Sequence, residues 1–260
     1  MAASPCGTAL NQDGVVSDKK RSGVARVLSK MGYCSRSQAE ILIRTGRVTV
    51  NGKTIRDPET PVRMGWDHIA VNGAEVGEQS KIYLVMNKPR GVVTTASDEQ
   101  GRRTVYDLLD PGGAWVGPVG RLDKASEGLL LLTNDSKWAA RITDPASHVD
   151  KRYHVQVDCV ADEDLLARIR QGVVVDGGRL HARAVQVLRR GKKNSWLEIT
   201  LDEGKNRQIR RMLAALGVGV LRLVRVSVGS LDLGDLKKGS VRPLTASEKR
   251  RLDLDLAGAI

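Results

Sequence analysis

Apolar residues at Val24, Val27, Leu28 and Met31 follow the i, i+3, i+4, i+7 spacing of one helical face, and Gly32 ends the run. A second helix is predicted from Ser35, which forms a capping box with Gln38. Ala39, Leu42 and Ile43 give its apolar face, and Gly46 its C-terminal glycine. The period then changes to two. Val48 and Val50 alternate ahead of an Asn51-Gly52 turn, and Ile69 and Val71 repeat the pattern ahead of Asn72-Gly73.

Beyond the polar stretch 77–81 the grammar changes again. "IYLVMNKP" reads as a strand ended by Pro89, and "TVYDLL" as a short helix. "EGLLLLTND" is too apolar to have one wet face and reads as a central strand. "RYHVQVDCV" alternates as a strand, and "DEDLLARIRQGV" is helical. "RAVQVLRR" and "SWLEITLDE" read as paired strands, and "NRQIRRMLAALG" as a helix closed by Gly217. "VLRLVRVSVGSL" alternates, and Thr245 with Glu248 caps a terminal helix. Strands mixed with helices, without strict βαβ alternation, predict an α+β fold. The expected organisation is a disordered tail over residues 1–20, a small unit over 21–80 and a larger one over 81–260.

Composition sharpens this picture. Hydrophobic residues make up 41% of the 260, enough for a sizeable core, and no apolar run is long enough for a membrane span. The N-terminus lacks the basic-then-apolar pattern of a signal peptide, so a cytoplasmic location is expected. Cys6, Cys34 and Cys159 are too far apart for a disulfide framework. His68, His148, His154 and His181 show no ligand spacing, so no metal is expected. The net charge is +12. Residues 19–53 hold nine Lys or Arg and one acid, Glu40, so +8 of that charge sits in one short segment. Such a concentration suggests a polyanionic partner, and Arg26, Lys30, Arg36, Arg44 and Arg47 are mostly off the apolar faces and open to phosphates.

Candidate chemistry centres on "GRLDKASEGLLLLTND", where Asp123 stands between Arg121 and Lys124, just ahead of the central strand. Nearby cations favour a charged carboxylate, which suits a nucleophile or base. Tyr153, beside Lys151 and Arg152 in a chain with 3% aromatics, has the makings of a base-stacking platform. "EGKNRQIRRM" brings Lys205, Arg207, Arg210 and Arg211 to a helix start, where a phosphate or carboxylate could bind. "NKPRGVVTT" reads as a loop-shaping segment at a strand end. Spacing alone reaches an RNA-binding protein with a candidate carboxylate site.

These motifs, in this order, resemble those of the RsuA/RluB/RluE/RluF group of pseudouridine synthases. "GYCSRSQAEILIRTGRVTVNGK" resembles an S4-type RNA-binding domain. The resemblance implies a mixed, mainly antiparallel sheet in two half-sheets with the RNA cleft across the middle. It implies isomerisation of one uridine in ribosomal RNA to pseudouridine, without a cofactor. By position, Asp123 matches the catalytic aspartate and Arg121 an arginine that helps hold the target nucleotide out of its stack. Tyr153 matches the tyrosine stacked on the uracil, and Arg210 the basic partner of the aspartate. Lys88, Lys205 and Arg207 join the N-terminal arginines as expected RNA contacts. Ala125-Ser126 and Ser136 depart mildly from the usual pattern, at positions that do not carry the chemistry. Fine resemblance in "SEGLLLLTND" favours large-subunit (23S) over small-subunit (16S) rRNA. A non-catalytic ribosome-assembly factor is the competing class. The expected partner is rRNA or a ribosomal-subunit assembly intermediate, bound by a monomer.

Overall fold

The structure is a computed structural model that describes residues 21–77, 79–96, 98–110 and 114–258. The tail expected over residues 1–20 lies outside the described residues, as does Glu78 of the expected 77–81 break. The chain forms two compact units, one of residues up to Val27 with Ser37–Val76, the other of Leu28–Arg36 with Gly77 onward.

In the N-terminal region, β1 (Ser22–Gly23) leads into α1 (Val24–Lys30), and α2 (Arg36–Arg44) follows. Gly46, at φ +73°, closes α2, donating to Ile43 O while Arg47 N reaches back to Leu42 O. The strands β2 (Val48–Val50) and β3 (Lys53–Ile55) form a hairpin, β4 (Pro61–Val62) pairs with β1, and β5 (Ile69–Val71) and β6 (Ala74–Glu75) form a second hairpin. Both tight turns are Asn-Gly pairs with positive φ at each residue, the geometry that suits the twist of a two-residue hairpin. The antiparallel sheet runs β3-β2-β5-β6. Ala39, Ile43, Val48, Ile69 and Val71 are buried, while Arg26, Arg36, Arg44 and Arg47 are exposed.

From Gly77 onward the larger unit holds β7 (Tyr83–Lys88), β8 (Gly117–Val119) and β9 (Glu127–Thr133). Next come α3 (Ser136–Thr143), β10 (Lys151–Val157), α4 (Glu163–Gln171) and the hairpin β11 (Val173–Val175)–β12 (Gly178–Leu180). It continues with β13 (Ala184–Arg190), β14 (Ser195–Leu201), α5 (Gln208–Ala215), β15 (Val220–Val228), β16 (Leu231–Asp232), β17 (Val241–Pro243) and α6 (Ala246–Ala257).

Its main sheet runs β13-β14-β10-β15-β9-β7-β17, with β16 on β15 and β8 on β9. Every pairing is antiparallel except β15 with β9, whose parallel ladder has only two registers, Val224 with Glu127 and Arg225 with Gly128. Two antiparallel half-sheets therefore meet at a short seam. Gly128 makes the seam possible. Its φ is +101°, and a Cβ there would lie 2.2 Å from Arg225 O. Beside it, buried Glu127 accepts from Arg222 Nε at 2.8 Å and pairs with Lys238 Nζ at 2.6 Å. The Arg222 hydrogen bond, aided by Lys238, holds its carboxyl down to about 2.

The run Leu129–Leu132 is buried on both faces, as its composition predicts. Leu129 and Leu131 join one apolar cluster with Trp138, Ile142 and Leu252, whereas Leu130 and Leu132 join another with Met86, Val105 and Leu122. A third cluster lies under the other half-sheet, between β10, β13 and β14 and the helices α4 and α5. Short strands such as β8, β11, β12 and β17 were not expected, and two further differences bear on the packing. "TVYDLL" forms a 3-10 turn, Val105–Leu108, with Thr104 and Asp107 in a capping box. Helix α3 has no apolar run long enough to announce it; Asp135 caps it by accepting from Lys137 N and Trp138 N, and it buries Trp138 and Ile142.

Candidate active site

Asp123 sits in the turn between β8 and β9, closed by Ser126 N donating to Asp123 O at 2.9 Å. Because β9 is buried on both faces, the turn has a rigid foundation. The segment after β7 clamps it from a second side. Lys88 is fully buried, and its ammonium donates to Pro89 O, Asp123 O and Ser126 O at 3.2, 3.1 and 2.9 Å. Gly91 N donates to Lys124 O at 2.8 Å. Thr94 Oγ1 donates to Leu122 O at 2.8 Å and accepts from Leu122 N at 3.3 Å. The backbone of 122–126 is thus held by hydrogen bonds, which leaves the Asp123 carboxylate for other work.

Lys88 was expected to contact RNA. With no exposed surface it cannot reach a phosphate, and its role here is to brace the Asp123 turn. Burial pushes the ammonium down to about 8, only partly opposed by Asp123 and Glu127. The "KPRG" stretch gives no hint of this from spacing, because the bracing partners are backbone carbonyls some 35 residues away. Thr94 was missed for the same reason.

The turn opens onto a cleft of about 540 Å³. Asp123, Tyr153, Arg121, Lys205 and Arg207 all line it, so one concave site collects five of the residues singled out in the sequence. Tyr153, half-buried on β10, lies against the apolar cluster containing Val155 and Ile209. Arg121 is exposed at the cleft. Lys205 is held by Glu203 at 2.9 Å.

The ionic partner of Asp123 differs from expectation. Arg207 Nη1 lies 3.3 Å from Asp123 Oδ2. Arg210 instead donates through Nη2 to Ala125 O at 3.2 Å and through Nη1 to Val220 O at 3.4 Å, and its buried Nε has no partner. The two arginines reach different targets because of where they stand. Arg207 is the left-handed cap residue of α5, at φ +48°, whereas Arg210 is inside the helix. Burial pushes Arg210 below the ordinary arginine range; Arg207 adds to that, and the Asp123 charge opposes it. Arg26, Arg36, Arg44 and Arg47 belong to α1, α2 and the residues after them, and none lines this cleft.

The family model for RNA pseudouridylate synthase matches residues 82–215, and the S4 domain model matches residues 23–65. The chain is 37% identical to the ribosomal large subunit pseudouridine synthase B of Bacillus subtilis, over 87% of this chain and 93% of that one. This chain belongs to the RNA pseudouridylate synthase family. Uncharacterized RNA pseudouridine synthases of Aquifex aeolicus and Mycobacterium leprae are 37% and 38% identical, covering 88% and 87% of this chain and 92% and 90% of theirs. A crystal structure of a pseudouridylate synthase matches with a TM-score of 0.63 and 30% identity, over 90% of this chain and 99% of that one. The synthase thus joins an S4 RNA-binding domain to a mixed, mostly antiparallel α+β fold.

Proposed function

We propose that this synthase isomerises one uridine of large-subunit ribosomal RNA to pseudouridine, with Asp123 as the catalytic carboxylate. The observation that carries the reading is the position of Asp123. It is the one acidic residue among the described residues lining the cleft, on a turn braced by Lys88, Gly91 and Thr94, and it shares that cleft with Tyr153 of β10. Arg207 holds its carboxylate at the cleft. The large-subunit assignment draws on the name of the Bacillus relative.

The reaction breaks the bond between C1′ and N1 and joins C1′ to C5 of the same base. Atoms are conserved, so no cofactor is needed. Asp123 either attacks C1′ or takes the 2′ proton, and both roles use the carboxylate. The target base must first leave its stack, at a cost of a few kcal/mol. Tyr153 stacks on the extruded uracil, and Arg121 occupies space at the cleft edge. The S4 domain arginines hold the RNA backbone, acting in the cytoplasm on rRNA or an assembly intermediate, as a monomer.

The test uses rRNA labelled with tritium at C5 of uridine, together with pseudouridine mapping of rRNA from a deletion strain. Wild type releases tritium, and one large-subunit site loses its pseudouridine in the deletion strain. Asp123→Asn binds the same RNA and releases none. Release by the Asn variant at the wild-type rate removes Asp123 from the chemistry. A lost small-subunit site redirects the substrate.

A further inference from the structure

A buried cation, Arg225, and a half-buried one, Lys151, line the cleft with Tyr153, and the chemistry above does not use them. Lys151 and Tyr153 share a face of β10, since alternate residues along a strand point the same way. Across the ladder Tyr153 pairs with Arg225, which pairs on its other side with Gly128 at the seam. Arg225 is 7% exposed, and its Nε donates to Leu129 O at 2.8 Å. Among the described residues, its Nη atoms and the Lys151 ammonium have no hydrogen-bond acceptor. Burial pushes Lys151 below the ordinary lysine range, and the Arg225 charge adds to this. Asp150 and Asp202 oppose it, but Asp150 accepts a 2.9 Å bond from Arg183.

Two neighbouring like charges disfavour each other's charged form unless something negative meets them. The cleft lining has six cations, Arg121, Lys124, Lys151, Lys205, Arg207 and Arg225, against the single acid Asp123. Lys151 and Arg225 share that lining with Leu131, Leu201, Leu223 and Val228. An apolar surround suits a flat ring better than a hydrated phosphate.

We infer that Lys151 and Arg225 stabilise the negative charge of the detached uracil during isomerisation. The inference rests on the reaction proposed above. When C1′–N1 breaks, the electron pair stays on N1 and spreads over O2 and O4. Asp123 meanwhile forms an ester with C1′ or takes the C2′ proton. The base then turns, C5 bonds to C1′, the C5 proton leaves and N1 regains a proton. An ester is released, or the C2′ proton returned, in the same sequence. Between the two bonds the base is an anion without a covalent tether. Fixed cations lining the cleft lower the energy of that anion without reorganising, and they keep it in place while it turns.

The test compares wild type, Lys151→Met and Lys151→Arg in single-turnover reactions at saturating RNA, with RNA affinity measured separately. A second RNA carries 5-fluorouridine at the target, whose detached base is a more stable anion and needs less help. With uridine, Lys151→Met is expected to lose about 10²–10³-fold in rate, the usual cost of removing one preorganised charge-stabilising group, with RNA affinity unchanged. Lys151→Arg recovers part of the loss. With 5-fluorouridine, followed by its disappearance from the RNA, the deficit shrinks. Lys151→Gln repeats the comparison if the Met variant does not fold. An unchanged rate, a loss confined to affinity, or an equal deficit with both bases overturns the inference. Failure of the wild type itself to release tritium from uridine would instead sink the underlying reaction.

Discussion

Arg207, not Arg210, forms the ion pair with Asp123: its Nη1 stands 3.3 Å from Oδ2, while Arg210 grips the backbone oxygen of Ala125 two residues on. One arginine touches the carboxylate and the other the turn that carries it. Their substitutions should therefore separate. The Arg207 pair is half exposed, so removing it changes stability by only about 0–1 kcal/mol. Arg207→Ala should lower kcat/KM while leaving the melting temperature near wild type. Arg210→Ala leaves the half-buried Ala125 carbonyl without this donor, at a cost of about 1 kcal/mol, and should lower both. A larger melting shift in the Arg207 variant would contradict this division.

The hydroxyl of Tyr153 has no hydrogen-bond partner among the described residues, whereas its ring lies against the apolar cluster under β10. That favours a role for the ring. Stacking of one base on one aromatic is worth about 1–3 kcal/mol. Tyr153→Leu should thus cost about 5–140-fold in kcat/KM, at about 1.4 kcal/mol per tenfold. Tyr153→Phe should cost far less. Equal losses in the two variants would assign the work to the hydroxyl.

Lys88 predicts opposite pH effects on stability and on activity. Its folded value, about 8, lies below the ordinary lysine value of 10.5 because of burial. Below pH 8 both folded and unfolded chains hold the proton, and the folded state carries the cost of a buried charge. Between 8 and 10.5 the unfolded chain holds a proton that the folded chain has released, so this group's contribution to stability rises with pH. Catalysis should fall over the same rise, because the neutral amine is a weaker brace for Asp123 O and Ser126 O. Rate profiles of wild type and Lys88→Met check this. The wild type should show an alkaline decline near pH 8 that the slower Met variant lacks. A shared decline would place the titrating group elsewhere.

Much of this architecture is legible in the sequence because it depends on local pattern. The two Asn-Gly hairpins, the four-leucine strand and the capped terminal helix each announce themselves within ten residues. Asp123 was legible as a charge out of place. Lys88, Thr94 and Arg207 were not legible in their roles. Their partners are distant in the chain, and the contacts of Lys88 and Thr94 go to backbone atoms that carry no residue signature. Helix α3 was hidden because tertiary burial of Trp138 and Ile142, not a long apolar period, stabilises it.

Gly128 tests whether the seam between half-sheets shapes the site. Its left-side φ and the 2.2 Å approach to Arg225 O leave no room for a side chain. Backbone strain and overpacking each cost about 1–3 kcal/mol, so Gly128→Ala should destabilise by about 2–6 kcal/mol. The cheapest relief is for β9 and β15 to part, and both border the cleft. Denaturant melts should show the loss, and pseudouridine formation should fall even where the variant is still folded. Full activity in a destabilised variant would show that the seam is not coupled to Asp123.

The RNA-holding role proposed for the S4 domain arginines makes a prediction of a different kind, on affinity and not on chemistry. Arg26 and Arg44 are exposed, and neither lines the cleft. Each phosphate they neutralise releases counterions, giving a slope of about 0.7–0.9 in log affinity against log salt per contact. Arg26→Ala with Arg44→Ala should weaken RNA binding and lower that slope by about 1–2. The single-turnover rate at saturating RNA should stay at the wild-type level, since Asp123, Tyr153 and Arg207 are untouched. A changed rate at saturation would mean that these arginines position the target uridine as well as hold the RNA.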